Sequence, residues 1–185
     1  GLVELLGGTE TAVERLETFM AEAGPERRQI LEGDHEQLYW LTTMPTWYWH
    51  GNEPDIHAAW LFVELGRPDL AARWLRWIQS ELYGTGPRGI PGNDDAGTLA
   101  AWYLFATLGL YPVAGSDSYL LGTPAYEHCE LDLPGGTLVI DAPGASTPGG
   151  WSTGVSVDGA PVVGTRVRHE DLVGGAHLQF ELTWE

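Results

Sequence analysis

Apolar residues recur at helical spacing as far as about Val113, and from Ala114 onward they alternate in short runs broken by glycine and proline. The first regime predicts a helix over about Glu10–Ala23, with Val13, Leu16 and Met20 on one face and Gly24-Pro25 ending it. Residues 25–52 carry no clear period: Gln37-Leu38-Tyr39-Trp40-Leu41 can start a helix that Met44-Pro45-Thr46 interrupts. Pro54 suits a first helical turn, where its missing N–H costs nothing, and Ile56, Ala59, Trp60 and Val63 follow before a stop at Gly66. A second helix opens at Pro68, holds Leu70, Trp74, Trp77 and Ile78, and ends at Gly84. Past a glycine-rich loop, Leu99–Leu108 predicts a very apolar helix closed by Gly109. Helix hairpins with loops at matching ends suggest an α/α toroid or part of one. Downstream, Tyr119–Leu121, Cys129–Leu133, Thr137–Ile140, Val155–Val157 and His177–Leu182 alternate as half-exposed strands, with turns at Pro134-Gly135-Gly136 and Asp158-Gly159. The expectation is an α+β chain: a helical part over 1–113, then a small antiparallel sheet, or one layer of a sandwich, over 114–185.

Composition narrows what such a chain does. With 26 acidic residues against 9 arginines and no lysine, the net charge is −17, which repels phosphate backbones and anionic membranes. Hydrophobic residues at 43% and charged residues at 19% exclude a disordered chain. No apolar run approaches the roughly 20 residues of a membrane span, and no charged-then-apolar leader is present. The single cysteine, Cys129, has no partner for a disulfide within the chain and sits in a predicted strand, so it supports no nucleophile. Residue 1 is glycine and a helical pattern begins almost at once, which leads us to expect a natural start upstream.

Two polar clusters stand at helix starts about forty residues apart: Asn52-Glu53 with Asp55 and His57, and Asn93-Asp94-Asp95. Each follows a glycine and precedes an apolar helix. In an α/α toroid the loops at one end converge, so the clusters can face one pocket. Hard cations such as calcium take about six to eight oxygen ligands, and Asn52, Glu53 and Asp95 are suitable donors. Neighbouring carboxylates such as Asp94 and Asp95 also shift each other's pKa, which is one way to hold a base. The competing reading is plain capping, because Asn and Asp before a helix satisfy its first N–H groups. His50 and His57 are placed to hydrogen-bond a polyol, whereas His35, His128, His169 and His177 read as surface residues. Among nine tryptophans, Trp74 and Trp77 read as core, and Trp47, Trp49 and Trp102 lie nearer the clusters as faces on which a sugar can stack. No HExxH zinc pattern, phosphate loop or G-x-S-x-G elbow occurs.

Three stretches in order, Tyr48-Trp49-His50-Gly51-Asn52-Glu53-Pro54-Asp55-Ile56-His57, Gly92-Asn93-Asp94-Asp95-Ala96-Gly97-Thr98-Leu99-Ala100-Ala101-Trp102-Tyr103 and Leu108-Gly109-Leu110-Tyr111-Pro112-Val113, resemble glycoside hydrolase family 92, the calcium-dependent exo-α-mannosidases. Gly1-Leu2-Val3-Glu4-Leu5-Leu6-Gly7-Gly8 and Leu121-Gly122-Thr123-Pro124 match as well. The resemblance implies an (α/α)6 catalytic domain whose final strands return to an N-terminal β-sandwich, with this chain supplying the last helix hairpins and those strands. It implies Asn52, Glu53 and Asp95 as calcium ligands, with the ion on the mannose 2- and 3-hydroxyls. Asp95 is then also a candidate for the base that activates water in an inverting hydrolysis, with Asp94 beside it as the second catalytic candidate. The substrate-binding candidates remain His50, His57, Trp49 and Trp102. Where the family often carries an acidic residue two positions before the base, Asn93 stands here. The implied general acid is a glutamate just upstream of the segment matching Gly1-Leu2. The chain alone is then expected to be catalytically incomplete, a secreted or periplasmic piece acting on mannose-terminated glycans. The alternatives are a carbohydrate-binding or accessory module without hydrolysis, and a structural domain whose acidic clusters are caps.

Overall fold

The computed structural model describes residues 1–23, 47–51, 53–87 and 89–184. The sequence readings at Gly24-Pro25, His35, 37–46 and Asn52 lie outside these. Helices α1 (Leu2–Leu5), α2 (Thr9–Ala21), α3 (Ala58–Glu64), α4 (Pro68–Trp77) and α5 (Thr98–Thr107) precede all the strands. A single 3₁₀ turn, Glu53–Asp55, leads into α3, and a π turn, Ile78–Leu82, extends α4. The strands are β1 (Leu110–Pro112), β2 (Ser118–Leu121), β3 (His128–Leu133), β4 (Gly136–Asp141), β5 (Trp151–Val157), β6 (Ala160–Pro161), β7 (Arg166–Arg168) and β8 (Ala176–Thr183), with α6 (Glu170–Val173) before β8. Helices followed by sheets make this an α+β chain, as its periodicity predicts.

The helices form where the apolar stripe dictates. In α4, Leu70, Ala71, Trp74 and Leu75 are buried on one side, continuing to Ile78, while Asp69, Arg73 and Arg76 lie on the other. α3 buries almost its whole circumference, because it packs against α2, α4 and β2 at once. Gly66 at φ 72° ends α3 in the left-handed conformation that a side chain resists.

The strands build two sheets rather than one. β1, β2 and β7 form an antiparallel three-stranded sheet, and a five-stranded sheet has the order β3-β4-β8-β5-β6. The small antiparallel sheet expected from the alternation is corrected at one place: β4 and β8 pair in parallel, with Leu138 opposite Ala176. A parallel neighbour needs a crossover, and residues 142–175, holding β5, β6, β7 and α6, provide it. The Pro134-Gly135 and Asp158-Gly159 turns are hairpins; Asp158 and Gly159 both have positive φ, the conformation of a type I′ turn.

β2 sits between two cores because its side chains alternate. Leu120 belongs to the helical core around Trp60, Phe62, Trp74 and Ile78, and Leu121 to the sheet core around Ile140, Leu178 and Phe180. The outer face of the larger sheet is polar. There Asp141 joins His128 at 2.6 Å and His177 at 2.7 Å, across β3, β4 and β8. These hydrogen bonds pull Asp141 below the usual carboxylate range and raise His128.

Candidate active site

Backbone contact between two glycines joins the polar clusters. A Cβ built on Gly92 would lie 2.6 Å from the Gly51 carbonyl oxygen and 2.8 Å from its Cα. The loop ending in Glu53 and the loop leading to Asp95 therefore touch main chain to main chain, an approach that only glycine permits. Next to this contact, the Glu53 carboxyl group neighbours that of Asp95, and its interaction with Asp95 is the main reason Asp95 is raised above the usual carboxylate range. Slight burial and the charges of Glu53 and Asp94 act in the same direction.

Backbone conformation presents Asp95 to its partner. Asp95 (φ 46°), Ala96 (φ 59°) and Gly97 (φ 93°) are all left-handed, a run that costs about 1–3 kcal/mol for each non-glycine residue. The Thr98 hydroxyl holds the turn by donating to the Asp95 carbonyl at 2.8 Å. Asp94 behaves differently: its Oδ1 accepts the Ala100 N–H at 2.8 Å, within the first turn of α5. Asp94 is thus bound into the helix start, and Asp95 is exposed beside Glu53. In the other loop, Asp55 Oδ2 accepts the Trp49 N–H at 3.2 Å and closes the segment across Gly51. Burial raises Asp55, against the opposing effects of that hydrogen bond and of His57.

Beneath the clusters lies an aromatic network that sequence spacing does not reveal. His50 is fully buried. Tyr48 Oη lies 2.5 Å from its Nδ1 and Tyr83 Oη 2.7 Å from its Nε2; the Tyr83 hydroxyl then donates to the Leu99 carbonyl at 2.9 Å. With Tyr83 committed as a donor to Leu99, a consistent assignment has His50 neutral, donating from Nε2 to Tyr83 and accepting from Tyr48. The π turn at the end of α4 runs directly into Tyr83. Trp102 is buried too; its indole lies 4.2 Å from the His50 ring by centroids and donates from Nε1 to the Ile56 carbonyl at 2.8 Å. These bonds tie the first loop to the end of α4 and to α5.

Among the residues proposed for substrate contact, His50 and Trp102 therefore lie in the interior with their polar atoms engaged, while His57 is exposed and Trp49 is half-buried against Gly51. Tyr48 and Tyr83 were absent from the candidates because nothing local marks Tyr83, which lies 33 residues from His50. The glycine preceding each cluster and the expected convergence of the helix-hairpin loops at one end were the sequence signals of their meeting. Among the described residues, no group of three or more His, Cys, Asp or Glu side chains is arranged to hold a metal.

Burial holds His50 well below its ordinary value, at about 3. Because the unfolded chain takes a proton near pH 6.5 and the folded one near 3, His50 causes no loss above 6.5 and removes stability as pH falls through that interval. The full effect is on the order of 4–5 kcal/mol. Thermal melts between pH 7 and 4 are expected to show His50→Gln losing less stability on acidification than the parent; parallel pH profiles would contradict this burial.

The sequence matches the profile of the glycosyl hydrolase family 92 catalytic domain over residues 1–184. The chain belongs to glycosyl hydrolase family 92. The family 92 inverting mannosidase of Bacteroides thetaiotaomicron is 26% identical at TM-score 0.72, aligned over 100% of this chain and 26% of its own. A family 92 α-mannosidase of the same organism, solved with mannoimidazole, is 29% identical at TM-score 0.67, over 81% of this chain and 22% of its own. An uncharacterized secreted glycosidase of Arthroderma benhamiae is 33% identical over 84 residues, 45% of this chain and 11% of that protein. The chain thus spans about a quarter or less of these family 92 relatives. No helix among the described residues is long and apolar enough to cross a membrane.

Proposed function

We propose that this chain carries the calcium-holding, water-activating half of the active site of an inverting exo-α-mannosidase. The observation that supports this most is the pairing of the Glu53 and Asp95 carboxyl groups across the Gly51–Gly92 contact. Two neighbouring carboxyl groups that raise the pKa of one of them are a fitting donor set for a hard cation, whose charge would relieve their repulsion. Glu53 and Asp95, with Asn52 beside Glu53 in sequence, would hold the ion, and calcium would supply charge that orients mannose hydroxyls. Asp95, exposed beside Glu53, is the residue placed to accept a proton from attacking water. Asp94 serves by fixing the start of α5.

Mannose as the sugar, and inversion as the outcome, rest on the names of the structural relatives and on the family resemblance. An inverting reaction also needs a general acid roughly 6.5–9.5 Å from the base, and we assign that acid to a glutamate outside residues 1–185. On this reading residues 1–113 complete an (α/α)6 toroid and residues 114–185 return to a β-sandwich. The fungal relative, a secreted glycosidase by name, supports a secreted protein, and mannose-terminated glycans as its substrate rest on the mannosidases among the structural relatives. The test is mannose release from a terminal α-mannoside by the full-length enzyme. Activity is expected to vanish with a calcium chelator and to return on adding calcium; release indifferent to chelator would remove the metal from this proposal.

A further inference from the structure

A second concave site lies on the charged side of α4, away from the carboxylate pair. This cavity of about 560 Å³ is lined by Arg67, Arg73 and Arg76 from the start and body of α4, by Asp69 and Glu17, and by Trp151 at the start of β5. Three of the nine arginines of a chain with net charge −17 thus converge on one hollow, where three cations face two carboxylates. Two of the three are already compensated. Arg67 forms a two-pronged pair with Asp69, at 2.9 and 2.6 Å, and Arg73 reaches Glu17 at 3.0 Å.

Arg76 is the exception. Among the described residues it forms no ion pair. Its Nη2 donates to the Ala145 carbonyl at 2.6 Å, which fixes the guanidinium, and its Nε is buried with no hydrogen-bond partner. Burial lowers its pKa, yet a guanidinium stays charged under any ordinary condition. A half-buried cation without a counter-charge is costly, and the neighbouring cavity is where an anion could supply one. Arg73, held with its guanidinium carbon 4.6 Å from the Trp74 ring centroid, stands on the same face of α4 one turn earlier.

We propose that this cavity binds an oxyanion, a phosphate or carboxylate group borne by a small molecule, with Arg76 and Arg73 as its cationic contacts. Guanidinium groups match both groups through paired N–H donors. The site is independent of the carboxylate pair, so its failure leaves the hydrolase reading intact. The experiment is an NMR titration of the purified protein, following the Trp151 indole and arginine Nε–H signals, with inorganic phosphate, galacturonate and mannose in separate arms. Saturable shifts at millimolar phosphate or galacturonate, with none from mannose, are expected; whichever oxyanion saturates identifies the preferred one. Arg73→Gln, at a side chain 56% exposed and so safe for folding, is expected to weaken binding about tenfold, and Arg76→Gln to abolish it. Absence of saturable shifts from both oxyanions, equal response to mannose, or unchanged affinity in Arg73→Gln would overturn the proposal.

Discussion

Alanine at position 92 is expected to destabilise the protein by about 2–5 kcal/mol and to part the two carboxylate loops. Two costs combine. Gly92 has φ 74°, where a Cβ alone costs about 1–2 kcal/mol. That Cβ would also lie 2.6 Å from the Gly51 carbonyl oxygen, and the atoms it meets are main chain, so no side chain can swing aside. Overpacking of this kind costs about 1–3 kcal/mol. For a chain of this size the sum is a drop in Tm of about 5–15 °C. Because the displaced segments carry Glu53 and Asp95, calcium affinity measured by calorimetry is expected to fall more than stability does. Gly84→Ala is the control: nothing lies within 4 Å of its Cβ and its φ is unexceptional, so its melt is expected to stay near the parent. A Gly92→Ala protein that keeps its Tm and its calcium would show that the glycine contact does not clamp the site.

The largest effect on chemistry is expected at Asp95. In the full-length enzyme, Asp95→Ala removes both the proposed base and a proposed calcium ligand, and kcat/KM for an α-mannoside is expected to fall by about 10³-fold or more. Glu53→Gln keeps the shape and loses one carboxylate, so it is expected to act first through calcium: weaker binding, with activity partly regained at high calcium. The roles separate with azide, a nucleophile that needs no base. Asp95→Ala with azide and saturating calcium is expected to yield the β-mannosyl azide, the product of attack from the opposite face. Asp94→Ala should behave as a cap deletion, costing about 1 kcal/mol of stability with kcat little changed. Full activity in Asp95→Ala, or loss of chemistry in Asp94→Ala at unchanged stability, would reverse the assignment.

The same two acidic residues show how far one-dimensional reading goes. Asp94 and Asp95 are adjacent and chemically identical, and either suits a cap or a base. Only the left-handed turn at Asp95-Ala96-Gly97 separates them, sending Asp94 to the Ala100 N–H and Asp95 to Glu53. His50 and Trp102 illustrate the converse. They lie in or near the polar clusters along the chain, which suggested contact with a sugar, yet both pack inward: Tyr48 and Tyr83 engage the two ring nitrogens of His50, and the Ile56 carbonyl accepts the Trp102 indole N–H.

By itself the sequence determined the types of the longer elements, the order of helices before strands (the first strand, Leu110–Pro112, begins just ahead of the expected switch at residue 113), the glycine-led polar clusters and the family. Each of these is written in local periodicity, in turn chemistry or in contiguous motifs, and needs no knowledge of distant contacts. Tertiary structure alone decided the parallel pairing of β4 with β8, the meeting of Gly51 with Gly92, the interior place of His50 and, among the described residues, the lack of an ion pair at Arg76. Those depend on which surfaces meet across tens of residues, and a side chain's neighbours across such a distance are set by packing of the whole chain rather than by the residues beside it.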